Sequence, residues 1–178
     1  IGGQPADQPA TQLPASTAPT DRTIWDRRNN VVGPVSAGVS ALNSVPGVGP
    51  VAADALVGRE KVNQIQQDRV FIDNASRDLI RTLQNNPRFS EGERQAIEKE
   101  VSISPEVFNT PESYSNKLKG ISQSLSVRIA DMQANLNNGN ISNEARKRSL
   151  DCIAAFLNYM SMMGVPPTMR TPQEAQML

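Results

Sequence analysis

NNPRFSEGERQAIEKEVSISPEVFNTPESY, residues 85–114, decides how this chain folds, because it reads as one helix stop followed by three helix starts. Asn85-Asn86-Pro87 ends whatever precedes it, since the proline ring disfavours helical backbone at Asn86. Ser90 with Glu93 three residues on forms a capping box: the serine hydroxyl takes one orphan amide and the carboxylate reaches back. Ser104-Pro105-Glu106 and Thr110-Pro111-Glu112 each set a hydroxyl before a proline, which suits the first helical position. The stretch therefore predicts two short helices. The first runs to about Val101 with Ala96 and Ile97 inward; Ile103, Val107 and Phe108 plug the space beneath the helix ends.

Working outward, each side carries a long amphipathic segment. Upstream, one helix is predicted from Val51 to about Gln84. Val62, Ile65, Arg69, Ile72, Ser76, Leu79 and Leu83 fall at alternating three- and four-residue steps, the spacing of a packed seam. Val70, Phe71 and Ile80 widen that stripe, while Arg69 and Ser76 either sit at its edge or face a neighbouring carboxylate. Downstream, Pro111 to Asn137 aligns Tyr114, Leu118, Ile121, Leu125, Ile129, Met132 and Leu136, and Asn138-Gly139-Asn140 closes it. Ser142 then caps a last helix with Ala145, Leu150, Ile153, Phe156, Leu157 and Met160 as apolar positions, stopped at Gly164 before Pro166-Pro167. The expected fold is all-α: three long helices packed up-down-up with two short capping helices over residues 51–164. An extended arm and apolar linker over 1–50 and an extended tail over 165–178 complete it.

The first fifty residues read differently. Residues 1–20 hold prolines at 5, 9, 14 and 19 and a single charge, Asp7, which predicts a disordered or polyproline-like arm that orders on a partner. Within Asp21 to Asn30 lies the only tryptophan. Ile24, Trp25, Arg27 and Arg28 read either as a partner-binding anchor, Trp and Arg being enriched at hot spots, or as a turn whose Trp covers the domain's own core. Val31 to Val57 is apolar with one charge, Asp54, and begins with Val31 and Val32, assigned to the same partner surface. Pro34, Pro46 and Pro50 would break a membrane-spanning helix there, so a short helix over 36–43 and a turn at 45–49 are expected. Packing within a larger assembly, packing on the domain itself and transient membrane insertion all remain readings of this segment. In the tail, Met169 and Met177 fit a partner-facing surface, whereas Met160 and Met163 fit a helix-end core.

Composition narrows the chemistry. Eighteen basic residues balance eighteen acidic ones, so no global field recruits nucleic acid or an anionic membrane. With no histidine, nucleophile systems that depend on one are excluded, as is the commonest zinc ligand. One cysteine, Cys152, forms no internal disulfide and reads as a packing residue. Glu91, Glu93, Glu98 and Glu100 offer paired carboxylates to a hydrolase, yet they lie beside Arg88, Arg94 and Lys99 on a capped surface helix and read as a solvated face. Arg146-Lys147-Arg148 lacks aromatic stacking partners and reads the same way. No calcium-binding or phosphate-cradling loop is present, so no catalytic residue, metal or cofactor is assigned. The chain begins at Ile1, which fits either proteolytic maturation or a piece of a longer protein.

Residues 86–121, NPRFSEGERQAIEKEVSISPEVFNTPESYSNKLKGI, followed at a distance by Gly164-Val165-Pro166, resemble a segment of virion-associated proteins of tailed bacteriophages. The shared features are an NPRF-type turn, a capped charged helix, I-x-P-x-x-F, a second proline cap and a closing G-V-P. The resemblance covers about residues 59–166. It implies a non-enzymatic virion structural component docked by its arms into a larger symmetric assembly. Such a component is internal, portal- or tail-associated, and in some cases ejected with the DNA. Its partners would be other virion proteins in a homo- or hetero-oligomer, with no specific nucleic-acid binding and minor membrane contact. Two alternatives stand beside it: a membrane-active DNA-ejection factor using residues 31–57, and a cell-wall hydrolase.

Overall fold

The computed structural model describes residues 22–44, 46, 49–84, 86–105, 108, 110–137 and 141–166, and among them the protein is all-α. Seven helices follow one another: α1 (Ile24–Val31), α2 (Pro34–Asn43), α3 (Gly49–Val57), α4 (Arg59–Gln84), α5 (Glu91–Val101), α6 (Pro111–Asn137) and α7 (Asn143–Met163).

The helix ends are set by the residues that announced them. Ser90 Oγ accepts from the Glu93 N–H at 3.3 Å, and Glu93 Oε2 accepts from the Ser90 N–H at 2.8 Å, so the capping box of α5 is complete. Thr110 Oγ1 accepts from the Ser113 N–H at 3.2 Å, and Ser142 Oγ from the Ala145 N–H at 3.2 Å. Gly164 ends α7 in the left-handed region, φ 64. Arginines close two of the carboxyl ends. Arg94 Nη1 donates to the Gln84 carbonyl at 3.0 Å and Arg146 Nη2 to that of Leu136 at 3.4 Å, reaching terminal carbonyls that have no partner within their own helix.

One main core joins α1, α4, α5, α6 and α7. Ile72, Leu79 and Leu83 of α4 enter it with Leu118, Ile121 and Leu125 of α6, and with Phe156, Met160 and Met163 of α7. Each such side chain taken fully from water contributes roughly 1.5–3 kcal/mol. Ser122 and Ser126 are also buried on α6; the Ser126 hydroxyl donates to the Ser122 carbonyl at 2.9 Å, so a small polar residue is accommodated without an orphaned group. A second, smaller cluster of Val39, Ala53, Val62 and Ile65 holds α2 and α3 against the first half of α4.

Several expectations are corrected. Residues 24–31, assigned to an extended arm, are helical because Thr23 and Asp26 form a capping box that starts α1, whereas the short helix expected over 36–43 is present as α2, beginning two residues earlier with Pro34 in its first turn. The helix expected to run from Val51 is broken at Gly58, whose φ of 87 lies where a helix cannot continue, giving α3 and α4. At the second short helix, expected from Ser104, the Phe108 N–H reaches the Pro105 carbonyl at 3.2 Å, and Glu106 and Val107 lie outside the described residues. Ala96, Ala145 and Leu150 face solvent, Leu150 being 51% exposed. Residues 1–20, Val107, Asn138-Gly139-Asn140 and the tail methionines lie outside the described residues.

Candidate functional site

Five of the six described residues assigned to a partner surface are buried inside the molecule. Ile24, Trp25, Arg27, Val31 and Val32 are between 0% and 8% exposed, and the four apolar ones belong to the main core. Arg28 is half-buried, its guanidinium 4.5 Å from the Trp25 ring centroid. Of the two readings open for Trp25, the structure has the one in which it covers the domain's own core. Met169 and Met177 lie outside the described residues.

The physical reason is Asp68. Its carboxylate is 1% exposed, set into the α4 stripe between Ile65 and Ile72, and it needs a cation. Arg27 supplies one, pairing through Nη1 with Asp68 Oδ1. Asn30 Nδ2 donates to Asp68 Oδ2 at 3.0 Å, and Asn30 Oδ1 accepts from Lys61 Nζ at 2.7 Å. Arg27 Nε donates to the Arg22 carbonyl at 2.9 Å, and its guanidinium lies 4.2 Å from the Phe71 ring centroid. The polar face of α1 is thus spent on α4, so Arg27 has no rim position. Asp68 was missed in the sequence, although its place three residues after Ile65 and four before Ile72 marks it as a stripe position.

Arg69 and Ser76 are the other polar stripe residues. Arg69 Nη2 donates to the Ser36 carbonyl at 3.0 Å and to its hydroxyl at 2.6 Å, tying α4 to α2. Ser76 Oγ lies 3.2 Å from Tyr159 Oη, and both reach the Val101 carbonyl at 3.1 Å, where α5 ends. Burial pushes the Tyr159 phenol up to about 12. Tyr114 is fully buried with its hydroxyl unpartnered among the described residues, and burial raises its pKa strongly. Cys152 is buried, its thiol pushed up to about 12 by desolvation, which makes it a poor nucleophile.

The carboxylates near the corner act as caps and pairs. Glu93 takes the amide and hydroxyl of Ser90, and the backbone hydrogen bond from Ser90 is the larger cause of its lowered pKa. A lowered pKa is the reverse of what a general acid needs. Glu91 pairs with Arg94 at 3.0 Å and Glu100 with Arg128 at 3.4 Å. In the corner itself, Asn86 Nδ2 donates to the Arg148 carbonyl at 3.0 Å and Asn86 Oδ1 accepts from the Arg88 N–H at 3.1 Å, pinning the turn to α7. Among the described residues no group of three or more His, Cys, Asp or Glu is placed to hold a metal ion.

What remains open at the surface is apolar. Val35 on α2 is 52% exposed, and Val51 and Leu56 on α3 are 72% and 75% exposed. α2 carries no charge, and α3 carries only Asp54, 3.8 Å from Arg59. No helix of the described residues is long and apolar enough to cross a membrane. The fold and these surfaces define a helical protein with an apolar hairpin held outside its main core. No family model, curated protein or solved structure matches the chain.

Proposed function

We propose that this chain is a non-enzymatic structural component of a bacteriophage virion, docked into a larger symmetric assembly of virion proteins through surfaces outside its main core. In this reading α4, α6 and α7 pack up-down-up, with α5 across one end. The Ser76–Tyr159 and Asn86–Arg148 bonds support an antiparallel α4–α7 pair, since Asn86, just beyond the end of α4, meets an earlier residue of α7 than Ser76 does. The observation that carries the docking role is the α2–α3 hairpin, where Val35, Val51 and Leu56 stand exposed on helices almost without charge. Apolar surface concentrated in this way marks contact with another surface rather than with water. The likeness of residues 86–121 to phage virion segments supplies the setting.

Because α1 belongs to the core, removing residues 1–50 would unfold the domain and test nothing. The suitable variant is Val51→Glu with Leu56→Glu, supplied as the only copy during virion assembly. A folded protein that is absent from purified particles is the expected result; normal incorporation defeats the proposal. The same exposed face favours a second reading, a membrane-active DNA-ejection factor. Dye release from lipid vesicles by the unaltered chain, lost in the double variant while incorporation is retained, would decide for it.

A further inference from the structure

On the side of α4 away from both apolar clusters, Asn63, Gln66, Gln67, Val70 and Asn74 face solvent. With Phe71 and Arg27 they line a groove of about 530 Å³. The rest of the exposed surface of α4 is richly charged, with Arg59, Glu60, Asp73, Arg77, Asp78 and Arg81 all outward. A water-facing helix surface normally carries charge, whereas the centre of a contact surface is depleted of it. The chemistry here is specific in kind: carboxamides both donate and accept, matching a peptide main chain, while Val70 and the Phe71 ring give an apolar floor for proline rings. That combination suits an extended, uncharged, proline-containing peptide.

The chain itself contains one, and it arrives at the groove. Residues 1–20 carry prolines at 5, 9, 14 and 19 and no charge other than Asp7. They join the described structure at Arg22, whose carbonyl accepts from Arg27 Nε at 2.9 Å and whose Nη1 lies 3.9 Å from Asp68. Arg27 is the groove's own wall. From Asn63 to Asn74 the helix advances roughly 17 Å. About six residues of polyproline-type chain at ~3.1 Å each cover that distance, so residues 1–20 have ample reach. The carboxyl-terminal segment fits less well, since Arg170 and Glu174 would bring charge to an uncharged face.

We propose that residues 1–20 lie along the Asn63–Asn74 face of α4 in the same molecule. This goes beyond the virion reading and does not depend on it: the one is tested in assembled particles, the other in the free chain. The test places a nitroxide at Gln12→Cys in the full chain, where the native Cys152 is buried. The ¹⁵N-labelled, spin-labelled chain is diluted into excess unlabelled chain, and the side-chain amide signals of Asn63, Gln67 and Asn74 are read. The expected result is at least a twofold loss of those signals against the reduced nitroxide, restored by Val70→Glu and by Gln66→Arg at the exposed face. A merely tethered arm would ignore those substitutions. Four results would overturn the proposal: no loss, or loss that persists in both variants; loss appearing only between copies in a mixed sample; or loss produced instead by a nitroxide at Gln173→Cys.

Discussion

α1 and the α2–α3 hairpin are adjacent in the chain and opposite in composition. α1 reads IWDRRNNV, in which five of eight residues are polar, yet its Arg27 is 2% exposed and its Ile24 fully buried. α2 and α3 carry one charge between them, yet Val51 and Leu56 are among the most exposed apolar side chains of the described residues. The difference lies in what each is offered. α4 presents α1 with a buried carboxylate and an aromatic ring, Asp68 and Phe71, which between them satisfy Arg27. To the hairpin it presents Val62, Ile65 and Arg69, which cover only one face. Burial follows partners, and composition alone misplaces both segments.

The comparison breaks most directly at Asp68. Asp68→Ala takes the carboxylate from a guanidinium already out of water, which costs about 3–5 kcal/mol, while Arg27→Met with Asp68→Leu recovers most of it. Urea denaturation followed by Trp25 fluorescence measures both; a loss under about 1 kcal/mol would mean that α1 is not a core element. Next is Gly164, where an added Cβ would lie 2.3 Å from Thr23 Cβ and φ is 64. Gly164→Ala should cost about 2 kcal/mol from backbone strain and crowding, and Thr23→Gly should return part of it. Calorimetric Tm values of the two single variants and the double variant check the coupling. For the hairpin, Val51→Glu with Leu56→Glu should stay within about 0.5 kcal/mol of the parent, and a larger loss would show that this face packs against the protein.

A pH series sharpens the contrast at the bottom of the scale. Tyr159 and Cys152 each have a raised folded pKa, so the folded state holds their protons more tightly than the unfolded state does. Their contribution is fully present below the unfolded values, roughly 8.5 for the thiol and 10 for the phenol. It is lost as pH rises toward about 12. Denaturation midpoints should therefore fall between those limits. Asp26 has the opposite sign: its side-chain hydrogen bond with Thr23 holds its carboxyl below the usual range. That support is present above pH ~4 and fades as the pH falls through the lowered folded pKa. The cap of α1, like the Glu93 cap of α5, should loosen in acid, seen as faster amide exchange there and not in α3.

The helices of the bundle were legible because their signals are local. The Ser90–Glu93 box, the Ser142 cap and the Gly164 stop each lie within a few residues of the amide or carbonyl they serve. The seams of α4 and α6 repeat at helical spacing and are buried almost as read; Arg69 and Leu136 are half-buried, and Val70, read as widening the α4 stripe, is 59% exposed. What stayed hidden was pairing across distance. Arg27 and Asp68 are forty-one residues apart, so nothing near Arg27 announces its carboxylate, and a lone Trp-Arg cluster looks the same at a rim as in a core. Gly58 was passed over for the converse reason: in sequence a glycine inside a helical pattern looks tolerable, and only its positive φ makes it a break. At Ile24 and its neighbours the sequence left a partner surface and a core position both open, because hot-spot chemistry and core chemistry use the same side chains.

The contact of Gly164 with Thr23 sets the order in which this molecule can be finished. α1 is made first, but its amino end rests on the turn that closes the last long helix. A chain leaving the ribosome can seat Arg27 of α1 on Asp68 of α4 early, but the amino end of α1 stays uncovered until residue 164 has emerged. α2 and α3 can meet the first half of α4 long before that. The small outer cluster is free to assemble early, and the main one is completed only with the last turn of α7. A nascent chain stalled before Gly164 should leave the amino end of α1 uncovered, and extension well past that residue should cover it.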